Sequence, residues 1–188
     1  MFSAVFTYGQ RKKSYFPIWT FHQNNINIYG VSVGLGSLRD IPKHTNTNGL
    51  KLEIIGAGIG VPLMSSGPIA DNDSSFQQIQ KDTISERING ISLSASGTVC
   101  NCIINGVSIG LIGQIEYNVN GFSATIFNFT QIHNGIQIGL TNETFKMSGI
   151  QIGFVNISKR TRGIQIGLWN VNERRKFPLI NWNFRKQQ

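Results

Sequence analysis

Gly135-Ile-Gln-Ile-Gly-Leu140, Gly149-Ile-Gln-Ile-Gly-Phe154 and Gly163-Ile-Gln-Ile-Gly-Leu168 are near-copies of one unit, each starting 14 residues after the last. Counting back, Gly121, Gly106 and Gly90 head weaker copies at spacings of 14, 15 and 16. A fixed period of this length marks a repeat architecture. Within each copy, residues one, three and five after the glycine are apolar: Ile136, Ile138 and Leu140 in one copy, Ile91, Leu93 and Ala95 in another. Between the first two lies a polar column of Ser92, Ser108, Ser123, Gln137, Gln151 and Gln165. Period-two alternation reads as a strand with one apolar and one polar face.

The apolar face is assigned to the core. Ile138, Ile152 and Ile166 are therefore expected to be buried and stacked, with Gln137, Gln151 and Gln165 facing outward. Asn142, Asn156 and Asn170 lie seven residues after their glycines. Asn and Gly tolerate the backbone conformations of chain reversals, so these columns read as corners. Weaker echoes appear earlier, at Gly30-Val-Ser-Val-Gly-Leu35 and Asn48-Gly49-Leu50-Lys51-Leu52. The fold class is all-β: a repeat β-solenoid with coils of about 14 residues, in which parallel stacking turns each column into a ladder. An antiparallel β-meander or small β-barrel is the alternative. Three regions follow: degenerate β repeats over 1–63, a loop or insertion over 64–87 with a short helix expected after Ser75, and tandem β repeats with a C-terminal cap over 88–188.

The run from Asn134 to Trp182 resembles bacterial surface-repeat proteins with tandem G-[IV]-Q-[IL]-G-[LF]-x-N copies and a closing F-P-x-I-N-[FW] segment, here Phe177-Pro-Leu-Ile-Asn-Trp182. The resemblance implies a cell-envelope location and attaches no activity. Met1-Phe2-Ser3-Ala4-Val5-Phe6 has no basic residue ahead of its apolar stretch, which is unlike a secretory signal. The expected location is the envelope or cell surface if a signal has been removed, and the cytoplasm otherwise. No apolar run reaches the length of a membrane-spanning helix.

Charged residues are only 14% of the chain, while 21 glycines and many Asn, Gln, Ser and Thr accompany 40% hydrophobic residues. This composition excludes a highly charged disordered chain and suits strands. From Lys146 onward, nine basic side chains face one acid, Glu173, and this stretch carries the whole formal charge of +8. A basic end attracts anionic partners. The candidate partner-binding residues are Lys159, Arg160, Arg162, Trp169, Arg174, Arg175 and Lys176. Arg160 and Arg174, one repeat apart, are expected to stack on one edge, and Trp169 is expected to point outward. The partner expected is a protein or an anionic envelope component, including a membrane surface. Nucleic acid is disfavoured because no nucleic-acid module is visible.

Catalytic signals are weak, and no catalytic, metal or cofactor site is assigned. Ile55-Gly56-Ala57-Gly58-Ile59-Gly60 lacks the third glycine and following helix of a dinucleotide loop, and reads as a glycine-rich strand. His22, His44 and His133 are scattered without ligand spacing, and His133 is expected to be solvated beside a turn. Cys100 and Cys102 read as free, partly buried thiols. The function expected is that of a non-catalytic structural or interaction protein of the bacterial cell envelope. A small outer-membrane β-barrel and an intracellular protein-binding or inhibitor module are the alternatives.

Overall fold

The computed structural model describes residues 12–36, 43–64 and 68–185. Met1–Phe6 and Lys186 lie outside the described residues. The chain is a β-solenoid of about ten turns with coils of roughly 14 residues. Short β1 (Lys13–Tyr15) and β2 (Ile18–Thr20) open it, followed by β3 (Ile26–Gly34), β4 (Thr45–Glu53) and β5 (Glu86–Ser94). The regular coils are β6 (Val99–Gly110), β7 (Gly113–Ala124), β8 (Phe127–Ile138), β9 (Thr141–Ile152) and β10 (Val155–Val171). From β3 to β10 consecutive strands pair in parallel and in repeat register: Gly149 lies opposite Gly135 and Gly163, and Asn142 opposite Asn128 and Asn156. This direction excludes the antiparallel meander and barrel. Among the described residues only β11 (Lys176–Asn183) runs antiparallel, folding back on β10 to cap the last coil.

Each long strand bends twice, so a coil has three sides. In β8 the first side is Phe127–Thr130. A corner follows at Gln131, where inside–outside alternation breaks and the ladder skips a residue. The second side ends at Gly135, and the third runs on through Ile136, Gln137 and Ile138 to the corner at Gly139–Leu140. Gly135 has φ 138°, and its equivalents Gly106, Gly121, Gly149 and Gly163 are likewise positive. A Cβ at Gly149 would strike the Gly135 carbonyl of the coil below. Hence only glycine serves at this corner.

The side chains inside the coil reverse the expected phase. Gln137, Gln151 and Gln165 are completely buried, as are Ser108 and Ser123 of the same column. Ile138, Ile152 and Ile166 instead point outward, 37%, 38% and 41% exposed. The reason is space. Gly139, Gly153 and Gly167 share the phase of the glutamines, and a Cβ there would collide with the carbonyl or Asn side chain of a neighbouring rung. On this side of the coil the lumen takes glycine and flat, hydrogen-bonding side chains, not stacked isoleucines. In the regular coils its amide side chains bond one another along the axis. Gln165 Nε2 donates to Gln151 Oε1 at 2.9 Å, and Gln151 Nε2 to Gln137 Oε1 at 2.8 Å. Asn142 Nδ2 donates to Asn156 Oδ1, and Asn156 Nδ2 to Asn170 Oδ1, both at 2.8 Å. The Asn columns therefore stack as expected, but inside the coil, with Asn142 and Asn156 on paired strands of the first side and not at the corner itself, which falls at the preceding Gly139–Leu140 and Gly153–Phe154.

The apolar core comes from the second side. Ile28, Ile88, Ile104, Val119 and Met147 project inward two residues before their glycines, with His133 in the same column. His133 is therefore fully buried and not solvated; burial lowers its pKa to about 4. Cys100 and Cys102 are joined to each other as a disulfide with Cα atoms 5.2 Å apart, instead of remaining free thiols. A bulge between Cys100 and Ile103 accompanies the pair.

The chain between β4 and β5 leaves the coil and folds back on its flank. Ala57–Leu63 form a 3-10 turn, not the glycine-rich strand expected. Gly58 N–H donates to the Gly97 carbonyl at 3.0 Å, and a Cβ on Gly58 would meet the Gly113 carbonyl. These glycines thus serve close backbone packing. Helix α1 (Asp73–Gln80) starts at an Asn72–Ser75 capping box. It buries Phe76, which stacks on Phe145 with ring centroids 4.4 Å apart.

Candidate binding surface

Outward positions on the third side follow one another from cap to cap. One residue after the glycine the column reads Ile18, Val31, Leu50, Ile91, Val107, Phe122, Ile136, Ile150, Ile164 and Trp182. Three residues after, it reads Thr20, Val33, Leu52, Leu93, Ile109, Ala124, Ile138, Ile152, Ile166 and Ile180. None of these positions carries a charge. At the adjoining corner Leu140, Phe154 and Leu168 stand out further, 45%, 57% and 59% exposed. With rungs ~4.8 Å apart, about ten rungs make an apolar strip roughly 43 Å long and on the order of 600 Å² in area. That is the upper end of what a soluble monomer exposes in one patch. The other sides differ. The second presents an outward asparagine ladder in which Asn134, Asn120, Asn105 and Asn89 each donate to the asparagine below at 2.8 Å. Part of the first, and the start of the second at Ile132, lies beneath Phe76 and Ile69, which pack against Phe129 and Ile132.

The basic residues singled out from the sequence divide into two groups. Lys159 Nζ lies 3.9 Å from Asp71 Oδ1, and Arg160 is hydrogen-bonded to Asp73, so both cations turn toward the helical insertion. The rest gather at the C-terminal cap. Arg162 is exposed immediately before Gly163. Arg174 and Arg175 occupy the reversal between β10 and β11, and Lys176 pairs with Val171. The expected stack of Arg160 on Arg174 does not form in the ladder. Arg160 is in register with Lys146, while Arg174 falls in the reversal, beyond the last paired rung. The Arg175 guanidinium lies 4.4 Å over the Trp182 ring and donates to Asn181 Oδ1 at 2.8 Å. Trp169 is outward and 47% exposed. It is outward although Ile164 and Ile166 are too, because the corner at Gly167–Leu168 resets the alternation.

A second constellation lies inside the N-terminal coils. Lys51 occupies the inner column otherwise filled by Ser and Gln, and its Nζ is 2.5 Å from Glu86 Oε2. Burial alone would lower its pKa, but the carboxylates of Glu86 and Glu53 reverse the shift and raise it. Thr98 Oγ1 donates to Glu53 Oε2 at 2.6 Å. Glu116 accepts from Ser108 Oγ at 2.5 Å, and burial pushes its pKa up to about 7. The sequence signal for this cluster was Lys51, a charge standing in a column of small neutral residues. Once the phase is inverted, that column becomes the interior. Among the described residues, no three His, Cys, Asp or Glu side chains converge to hold a metal ion. In comparisons with known proteins, no family model, no curated protein and no solved structure matches this chain.

Proposed function

We propose that the chain is a non-catalytic structural or interaction protein of the bacterial cell envelope, docking through the third side of its solenoid and its basic C-terminal cap. The observation that carries this reading is the uncharged apolar strip running from Ile18 to Trp182 on that side. Burying such a strip releases roughly 25 cal/mol per Å² of apolar surface, so a partner that covers it binds without further chemistry. The resemblance of the Gly135, Gly149 and Gly163 copies to surface-repeat proteins supports the envelope as the place. The buried Lys51, Glu53, Glu86 and Glu116 group is closed inside the coil, which argues against its use as an active site.

The test is retention on bacterial envelope fractions. The wild-type chain is expected to be retained. Ile138→Glu combined with Ile152→Glu is expected to lose retention while keeping the far-UV spectrum and a cooperative melt lowered by only several degrees. Equal retention of wild type and variant sinks the proposal.

A further inference from the structure

The bare third side and the exposed cations of the cap meet at the same end of the molecule, and that coincidence selects an occupant. We infer that the third side lies flat in the headgroup–acyl boundary of an anionic lipid bilayer. This rests on the reading of that side as the docking surface. Three observations favour lipid. The strip carries no charge over about ten rungs, as a surface in contact with acyl chains requires. Its edge is also ridged: at the corner Leu140, Phe154 and Leu168 are more exposed than Ile138 and Ile152 on the flat side. A flat sheet-on-sheet contact would leave that ridge outside, whereas a fluid phase accepts it without a complementary shape.

The third observation is charge. Lys159 and Arg160 are engaged by Asp71 and Asp73, whereas Arg162, Arg174, Arg175 and Lys176 of the cap are exposed. Arg162 borders the third side at its corner glycine, Gly163, and Arg175 lies over the Trp182 ring, whose position belongs to the apolar strip. Cations at the rim of an apolar face, beside a tryptophan, match the layering of acyl chain, interface and anionic headgroup. A second copy docked in parallel would instead bring two like-charged caps together.

The probe is flotation with vesicles of phosphatidylcholine alone or mixed with phosphatidylglycerol, with Trp quenching by lipids brominated on the acyl chain. The wild-type chain should float with the mixed vesicles and much less with phosphatidylcholine alone. Binding should weaken as salt rises, since screening at physiological ionic strength acts over ~8 Å. Brominated chains should quench its emission, and Trp182→Phe should lose much of that quenching. Ile138→Glu with Ile152→Glu should lower the bound fraction roughly tenfold or more. Absence of flotation with mixed vesicles at low salt overturns the inference. So does flotation unchanged in the double variant, or a lipid-free dimer, seen by light scattering, that the double variant dissociates. If the double variant loses envelope retention while the wild type ignores vesicles, the docking surface stands and lipid as its occupant falls. If the variant loses neither, both fall.

Discussion

Gln151 and Ile152 are chain neighbours with opposite duties. Gln151 Nε2 donates to Gln137 Oε1 and, at 3.1 Å, to Thr144 Oγ1, while its own Oε1 accepts from Gln165. Gln151→Leu keeps the volume but strips partners from buried amides on both sides. Its expected cost is about 1–3 kcal/mol. Ile152 stands on an open face, 38% exposed and in register with Ile138 and Ile166. Ile152→Glu is expected to cost about 1 kcal/mol or less and to leave the fold intact. Urea unfolding of the two single variants checks both values, and the reverse ranking would show that the phase is apolar-in after all.

At the scale of elements, the corner glycines and the helical insertion hold the coil in different ways. Gly149 needs both its φ of 138° and the absence of a Cβ above the Gly135 carbonyl. Gly149→Ala is therefore expected to lower stability by about 2 kcal/mol or more, read as a drop in the urea midpoint. The insertion is clamped from outside: Gln131 donates to the Pro68 carbonyl and accepts from Ala70 N–H, and Lys146 sits over the Phe76 ring at 4.4 Å. Phe76→Ala is expected to remove about 3 kcal/mol from this contact. Hydrogen exchange should then rise across α1 while the β8–β10 amides stay protected. Loss of protection throughout β8–β10 would mean that the insertion is part of the coil's core.

Across the whole molecule, two buried groups set opposing pH limits. Glu116, at about 7 when folded against an ordinary 4.5, holds its proton more tightly in the fold. Its stabilising contribution is complete below pH 4.5 and is lost as pH rises through 7. His133, at about 4 against 6.5, resists protonation in the fold. Its contribution is complete above pH 6.5 and is lost as pH falls through 4. Between pH 4.5 and 6.5 the two slopes cancel, so their summed contribution is greatest there and declines on both sides. Each shift corresponds to on the order of 3 kcal/mol. Glu116→Gln should raise stability relative to wild type at pH 8 and leave it nearly unchanged at pH 4.5. A variant equally stabilised at both values would mean that Glu116 ionises freely in the folded coil.

The repeat, its 14-residue period, the strands and the stacking of Asn142, Asn156 and Asn170 were legible in the sequence. Equal spacing of like residues has one economical outcome, parallel rungs in register, and local chemistry suffices to specify it. Which face turned inward was not decided locally. Alternation at Gly135–Leu140 defines two faces and is silent on which one closes. The glycines in phase with Gln137 and Gln151 pointed to the answer, but their meaning depends on how closely neighbouring rungs approach. The same dependence hid the Lys51–Glu86 pair, the burial of His133 and the turning of Lys159 and Arg160 toward Asp71 and Asp73. These are contacts between residues far apart in the chain, set by the width of a three-sided coil and by an insertion that returns to its flank. Only the closed structure specifies those distances, because hydrogen-bonded polar ladders outcompete stacked isoleucines on the third side, where the glycines let neighbouring rungs approach too closely to hold them.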